Sequence, residues 1–113
     1  MHEISVALGI VEIAEVEAAK ANAKTVETIT LEIGTLAGIE FKSFDFVWPT
    51  AIEGTILENS NLELKIIKAK AKCTKCNSVF KMKQHYDHCP NCKSDQKSIF
   101  QGEELNVKSL DII

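Results

Sequence analysis

Four cysteines in the second half of the chain limit what this sequence can fold into more than any other feature. They form two Cys-x-x-Cys pairs, and twelve residues separate the pairs. A turn of this kind can direct both sulfurs at one metal ion, and two such turns complete a tetrahedral thiolate site with no open position. The spacing therefore predicts a structural Zn(II) site formed by Cys73, Cys76, Cys89 and Cys92.

Iron is the alternative metal for this site, because Cys89-Pro90-x-Cys92 resembles a rubredoxin knuckle. Such knuckles usually carry glycine after the second cysteine, whereas Asn77 and Lys93 stand there in this chain. We therefore favour zinc over iron.

The first residues lack the features of a signal peptide, since they carry Glu3, Glu12, Glu15 and Glu17 and have no basic lead. No apolar run approaches the roughly 18 residues that a membrane span needs. We expect a cytoplasmic protein with no membrane partner. In that reducing compartment, paired cysteines of this spacing are metal ligands rather than disulfides.

Charge divides the chain into three segments. Residues 1–64 carry three lysines and eleven acidic residues, residues 65–97 carry nine lysines and two acidic residues, and residues 98–113 carry one lysine and three. The basic cysteine segment keeps a zinc-ribbon nucleic-acid-binding module open as the main alternative function. Against it, the chain has no arginine, the side chain that commonly reads guanine or grips phosphate. We expect no nucleic-acid partner.

Hydrophobic periodicity outside the cysteine segment predicts helices over 4–22 and 40–53, and strands over 26–33, 61–72 and 103–112. Ser5 is the candidate cap of the first helix. Pro49 lies inside the second helix, so we expect a break or irregularity near Trp48. The alternation of apolar residues slips by one position within 61–72, which indicates a β-bulge.

These elements predict an α+β fold, with two helices packed on a small three-stranded sheet and an inserted four-cysteine zinc-ribbon-like lobe. The predicted domains are a discontinuous α/β domain of residues 1–70 plus 99–113, and a zinc-binding domain of residues 71–98. Residues 73–98 contain too few apolar side chains for a core, so we expect metal binding to substitute for packing there.

The opening Met1-His2-Glu3 suggests a second metal site with different chemistry. The His2 imidazole can form a chelate ring with its own backbone nitrogen, and the amine of Met1 is a further donor. Ni(II) can displace protons from such amides to give a square-planar nitrogen set. On the residues alone, a polar side chain at a frayed terminus is the more ordinary interpretation, with Glu3 serving the helix dipole.

Two further histidines, His85 and His88, precede Cys89 and are candidate auxiliary metal ligands. Four cysteines already saturate a tetrahedral zinc ion, so exposed polar residues in a turn are the more ordinary interpretation. No catalytic triad or phosphate-cradling glycine loop stands out, and a closed thiolate site has no position for water. We therefore expect no enzymatic activity.

Together, these motifs resemble the HypA family, the nickel metallochaperones of [NiFe]-hydrogenase maturation. The resemblance covers essentially the whole chain. It rests on Met1-His2-Glu3 opening into an amphipathic helix, on Ile33-Gly34-x-Leu36, on the paired cysteines, and on Gln101-Gly102-x-Glu104 before the last strand.

The resemblance implies that the α/β domain binds Ni(II) as cargo through His2 and Glu3, with Met1 nearby, and that the four cysteines hold structural Zn(II). It implies a HypB-like GTPase and the large subunit of [NiFe]-hydrogenase as partners, the latter receiving nickel. A homodimer formed by strand exchange is the alternative to a monomer.

Overall fold

The computed structural model describes residues 2–113, and over this range it contains two helices and six strands. They are α1 (Glu3–Lys20), β1 (Val26–Gly34), α2 (Phe41–Ile52), β2 (Asn61–Ile67), β3 (Lys70–Cys73), β4 (Val79–Lys81), β5 (Lys97–Gln101) and β6 (Leu105–Ile112). These strands form two sheets, of order β2-β1-β6 and β4-β3-β5. The predicted α+β fold with two helices and a clustered four-cysteine segment is confirmed.

The chain divides into two compact units. Unit 1 consists of the residues up to Glu32 together with Ile39–Lys65 and Asn106–Ile113. Unit 2 consists of Ile33–Gly38 and Ile66–Leu105. The cysteine-containing unit is therefore larger than the cysteine segment itself, and it includes a short stretch that begins in the last two residues of β1.

Helix α1 buries a stripe of small and aliphatic residues, namely Ala7, Ile10, Val11, Ala14 and Ala18. Their spacing of three and four positions places them on one face of the helix, which packs against α2. The helix begins at Glu3 with His2 at the N-cap position, so the prediction that Ser5 caps it was wrong. Neither α1 nor α2, the helices of the described chain, has the combined length and apolarity of a transmembrane helix.

Helix α2 supplies the large aromatic side chains of unit 1. Phe44 and Trp48 are buried, and their stacked rings lie 5.5 Å apart between centroids. The predicted break near Trp48 was wrong, because the helix continues through Pro49 to Ile52. Proline removes the hydrogen bond to the carbonyl of Asp45, and its ring crowds that carbonyl. Asp45 and Pro49 are both exposed, so water can solvate that carbonyl.

Strand β1 lies at the centre of its sheet and is more deeply buried than the alternation of its sequence predicts. Ile29 and Leu31 are fully buried, and the polar Thr30 between them is 6% accessible. The Thr30 hydroxyl donates a hydrogen bond to the Glu63 carboxylate on β2 at 3.5 Å. This bond satisfies the hydroxyl, which lets a threonine occupy the middle of a covered strand.

The region predicted as one bulged strand over 61–72 is two strands, β2 and β3, and they belong to different sheets. The slip in apolar phase thus marks the passage of the chain from one sheet to the other. Strands β4 and β5, which were not predicted, pair with β3 on its two sides in antiparallel fashion.

Unit 2 has its own small core, so the prediction that metal binding substitutes for packing there was only partly right. The core residues are Leu36, Ala69, Ala71, Phe80, Met82, Cys73 and Cys89. The segment 73–98 alone supplies too little apolar surface. The deficit is made up by β3 and by Leu36, which comes from the stretch after β1.

A close backbone contact lies beside this core. A Cβ atom at Gly34 would overlap the carbonyl group of Gly102, and a Cβ atom at Gly102 would overlap Ala69. The Gly34 amide donates to the Glu104 carbonyl at 2.7 Å, and the Leu36 amide donates to the Gly102 carbonyl at 2.7 Å. Both glycines are therefore required for three segments of backbone to pack directly on one another.

We predict that Gly34→Ala destabilises the protein by about 2 kcal/mol or more, because the added methyl group meets backbone that cannot rotate away. Gly9→Ala is the matched control, since no atom lies within 4 Å of a Cβ built there. It should stabilise the exposed helix α1 by roughly 0.5–1 kcal/mol. Urea unfolding of both variants measures the difference, and equal midpoints would contradict the close contact.

Candidate metal centres

The four cysteines lie on two turns with the same hydrogen-bond pattern. In the first, the Cys73 amide donates to the Ser78 carbonyl at 2.8 Å, and the Asn77 amide donates to the Cys73 carbonyl at 2.9 Å. In the second, the corresponding bonds run from Cys89 to Ser94 and from Lys93 to Cys89, both at 2.9 Å. The two Cys-x-x-Cys pairs are thus held by repeated local structure.

The residue after each pair adopts a left-handed backbone conformation. Asn77 has a φ of 64° and Lys93 has a φ of 65°. This conformation costs a side-chain-bearing residue about 1–2 kcal/mol relative to glycine, and asparagine tolerates it best. The absence of glycine, which argued against a rubredoxin-type knuckle, therefore does not change the turn geometry.

The turns bring all four sulfur atoms within 4.8 Å of one another. The closest pairs are Cys73 with Cys92 at 3.5 Å and Cys76 with Cys89 at 3.6 Å. A tetrahedral ion with metal–sulfur bonds of about 2.3 Å separates its sulfur ligands by about 3.8 Å. The arrangement therefore fits one tetrahedral metal ion.

The electrostatic environment differs strongly among these thiols. The Ser78 hydroxyl and amide, followed by the Asn91 side chain, lower the pKa of the Cys76 thiol to about 5. The Cys76 amide, 3.4 Å from the sulfur of Cys73, lowers the pKa of Cys73. The Ser94 amide acts in the same sense on Cys92, but burial and the sulfur of Cys73 outweigh it and raise the pKa of Cys92 to about 11.

Two polar residues that the sequence analysis did not identify support the cluster. Ser78 Oγ lies 3.2 Å from Cys76 Sγ, and the Asn91 side-chain amide donates to that sulfur at 3.6 Å and to Ser78 at 3.2 Å. The sequence contains one signal that could have identified Ser78, because a serine follows both cysteine pairs at the same spacing, at 78 and 94.

The histidines of unit 2 do not join the cysteine group. Within residues 2–113, the cluster of potential metal ligands consists of the four cysteines alone. His85 is exposed, and its Nε2 lies 3.4 Å from a carboxylate oxygen of Glu103. His88 is also exposed. An auxiliary metal role for either residue stays a prediction.

The N-terminal site residues lie at the start of α1. His2 is exposed at the N-cap position, where its side chain makes no capping hydrogen bond and its carbonyl accepts from the Val6 amide at 3.2 Å. The Glu3 carboxylate accepts a hydrogen bond from the Glu40 amide at 3.3 Å. Met1 lies outside the described residues.

Glu40 itself caps the start of α2. Its carboxylate accepts a hydrogen bond from the Ser43 amide at 2.6 Å, and the bonds from Ser43 lower the pKa of Glu40 below its ordinary value. Through Glu3 and Glu40, the first turns of the two helices are thus joined by a short chain of hydrogen bonds.

Comparison with known proteins agrees with this arrangement. Residues 1–112 match the profile of a family described as "Hydrogenase/urease nickel incorporation, metallochaperone, hypA". The chain belongs to the HypA family. Members of this family are metallochaperones rather than enzymes.

Relatives within the HypA family align along almost their whole length. The chain is 39% identical to the hydrogenase maturation factor HypA of Francisella philomiragia over 97% of both chains, and 38% identical to that of Azotobacter chroococcum over 99% of both. The solution structure of the nickel metallochaperone HypA from Helicobacter pylori is similar, with a TM-score of 0.72 and 28% identity over 100% of this chain and 98% of that one.

We predict that removing metal from the cysteine cluster with a chelator opens unit 2 selectively. Without the cation, the four thiolates repel one another. The small apolar core of unit 2 does not provide enough stability to keep the unit folded. Hydrogen exchange should accelerate by roughly tenfold or more in Ile66–Leu105, with little change in α1. Adding Zn(II) back is the control and should restore protection. Equal acceleration in α1 and unit 2 would contradict the prediction.

We also predict that the Glu40 cap contributes stability in a pH-dependent way. The folded-state pKa lies below the ordinary carboxyl value of 4.5, so the contribution is present above that value and is lost as pH falls through the lowered pKa. At neutral pH, the urea midpoint of wild type should be higher than that of Glu40→Gln. At acidic pH, the two midpoints should become equal. Glu12→Gln, which removes an exposed carboxylate from α1, controls for surface charge. A difference that is constant with pH would refute the ionised cap.

Proposed function

We propose that this protein binds Ni(II) at its N-terminus and delivers it to the large subunit of [NiFe]-hydrogenase during maturation. The observation that carries this proposal is the exposed His2 side chain at the N-cap of α1, free of any capping bond, in a member of a nickel-incorporation family. The proposed nickel ligands are the His2 imidazole and the backbone nitrogens of His2 and Glu3, with the amine of Met1 as a further donor.

The start of a helix is a suitable place for amide ligation. The first amides of a helix have no intrahelical acceptor, so nickel can replace the proton on the Glu3 nitrogen without breaking a helical hydrogen bond. The first bond of this helix runs from the Val6 amide to the His2 carbonyl and leaves both ligating nitrogens unused.

The helix dipole opposes this site and favours release. The N-terminal end of a helix carries partial positive charge, which disfavours a cation. Deprotonation of backbone amides offsets that cost, and it does so only while the nickel is bound. A partner or a proton that removes the imidazole therefore weakens the whole ligand set, as a metallochaperone that hands on its cargo requires.

Glu3 acts here as a positioning residue. Its carboxylate is held by the Glu40 amide at 3.3 Å and so fixes the first turn of α1 relative to the start of α2. Such a contact reduces fraying of the turn that carries the ligating nitrogens and lowers the entropic cost of ordering them around nickel.

We propose Zn(II) for the four-cysteine cluster. Four thiolates at tetrahedral spacing suit zinc or iron, and they fill every coordination position, so the bound ion is structural. When bound, it supplies the positive charge that four converging sulfurs lack. The proposed setting is the cytoplasm, with a HypB-like GTPase as a partner and with a homodimer as an alternative to the monomer.

The first test is a Ni(II) titration of zinc-loaded protein with a free N-terminus, followed by its absorption spectrum. We predict that wild type shows saturable binding with a square-planar absorption band and that His2→Ala loses both. His88→Ala, another exposed histidine, is the matched control and should bind as wild type does. A variant with one glycine added before Met1 should also lose the band, because it separates the amine from His2.

The second test measures delivery. Nickel-loaded wild type should activate an immature hydrogenase large subunit in the presence of the GTPase, whereas His2→Ala should not. If His2→Ala binds nickel as wild type does, the N-terminal site is wrong. If nickel binds but the large subunit never receives it, the N-terminal site stands and the proposed delivery step is wrong.

A further inference from the structure

The sheet β4-β3-β5 has two chemically opposite faces. On β3 and the residues before it, Ala69, Ala71 and Cys73 are buried in the core of unit 2. The alternate residues of the same stretch are lysines, of which Lys68 and Lys72 are exposed and Lys70 is half-buried. Because successive side chains of a strand point to opposite faces, these lysines lie together on the face away from the core.

Strand β4 adds to the same face. Lys81 pairs directly with Lys70, and Val79 pairs with Lys72. The Met82 amide donates to the Ala69 carbonyl at 3.0 Å, which continues the register and places Lys83 opposite Lys68. We call this surface the lysine face, and it comprises Lys68, Lys70, Lys72, Lys81 and Lys83.

The lysine face has little internal neutralisation. Among the described residues the ion pairs are Lys20 with Glu17 and His85 with Glu103, and neither uses a lysine of this face. Strands β3, β4 and β5 contain no acidic residue. The Asp87 carboxylate accepts from the backbone amides of Lys83 and Gln84 at 2.7 and 3.1 Å, and these bonds, followed by the charges of Lys97 and Lys83, lower its pKa. Lys83 therefore has an acidic neighbour at one end of the face.

Lysines directly opposite one another on antiparallel strands destabilise a sheet. The successive pairs Lys70–Lys81 and Lys68–Lys83 have no acidic residue on the strands beside them. Their repulsion therefore lowers the stability of unit 2, which is already small. A partner that supplies negative charge would remove this repulsion. The relief of repulsion would add to the attraction between the partner and the lysines, and so would tighten binding.

We propose that the lysine face is a binding surface for an acidic polypeptide segment in extended conformation. Its lysines form three rows along the strands, at 68/83, 70/81 and 72, with about 7 Å between rows. An extended polypeptide places alternate side chains at the same spacing, so carboxylates at every second residue face one row each. The surface belongs to unit 2, and this inference does not rest on the proposed nickel function.

The chemistry of the face favours a polypeptide over a nucleic acid. The lysine ammonium group is a compact charge that can form an ion pair with any carboxylate. The chain has no arginine, whose guanidinium group binds phosphate in a bidentate manner. The exposed apolar residues beside these rows are Val79 on β4, which is 61% accessible, and Phe100 on β5, which is 55% accessible. Both can contact aliphatic side chains between the acidic residues, but a single ring does not form the series of stacking platforms that binds successive bases.

The test measures binding of a fluorescently labelled peptide of alternating glutamate and valine to the full-length, zinc-loaded protein at low ionic strength. The comparison peptide has the same composition with its glutamates in one block. Lys70→Gln/Lys81→Gln should weaken binding of the alternating peptide by about tenfold. Lys24→Gln/Lys42→Gln removes the same charge from exposed lysines of unit 1, and its affinity should stay within about twofold of wild type.

Thermal unfolding distinguishes a binding surface from a merely structural one. Removing an opposed lysine pair should leave the unfolding midpoint unchanged or higher while binding falls. Lys68→Gln/Lys83→Gln is the second variant, and it should give the same result if the first fails to fold. The proposal is overturned if neither peptide binds, if the blocked peptide binds more tightly, or if the unit 1 control weakens binding equally. It is also overturned if an oligouridylate of matched charge binds more tightly than the alternating peptide.

Discussion

The convergence of four sulfur atoms within 4.8 Å is the constraint on which the rest of unit 2 depends. Thiolates so close together repel, and burial together with the neighbouring sulfurs raises the pKa of Cys92 to about 11, whereas hydrogen bonds from Ser78 lower that of Cys76 to about 5. A bound dication removes the conflict by charge compensation. The two turns that present the cysteines are built identically, so the cluster holds both ends of the cysteine segment in one geometry.

The second determinant of unit 2 is a contact between backbones rather than between side chains. Gly34, Gly102 and Ala69 lie so close that no larger residue fits at the glycines. This contact allows Leu36 to enter a core otherwise made by β3 and β4. The cysteine cluster and the glycine contact are thus complementary: one fixes the turns, and the other brings in the apolar side chain that the cysteine segment lacks.

The sequence predicted the features that depend on local pattern. The helices, strands β1 and β6 and the cysteine pairing all rest on periodicity or fixed spacing, and the ends of these helices and strands fall within two residues of the prediction. The strand predicted over 61–72 instead ran five residues past the end of β2 and included most of β3. The unbroken helix at Pro49 was missed because its exposed surroundings are a tertiary property. The same holds for Leu36, which lies far in sequence from the cysteines it packs against, and for the Glu3–Glu40 hydrogen bond, which joins two helices. The sequence placed His2 and the cysteines as candidate ligands by residue type, and their metals stay proposals.

The stretch Ile33–Gly38 belongs to unit 2 although it directly follows most of β1. The cysteine segment is therefore not a self-sufficient module, because a fragment of residues 66–105 would lack Leu36 and would lack Gly34, which packs against Gly102. During translation the stretch Ile33–Gly38 leaves the ribosome long before Cys92. Leu36 therefore cannot reach its buried position until the second cysteine pair has been synthesised. This core is consequently completed late in the folding of the nascent chain, and a metal bound by all four cysteines would be captured at the same stage.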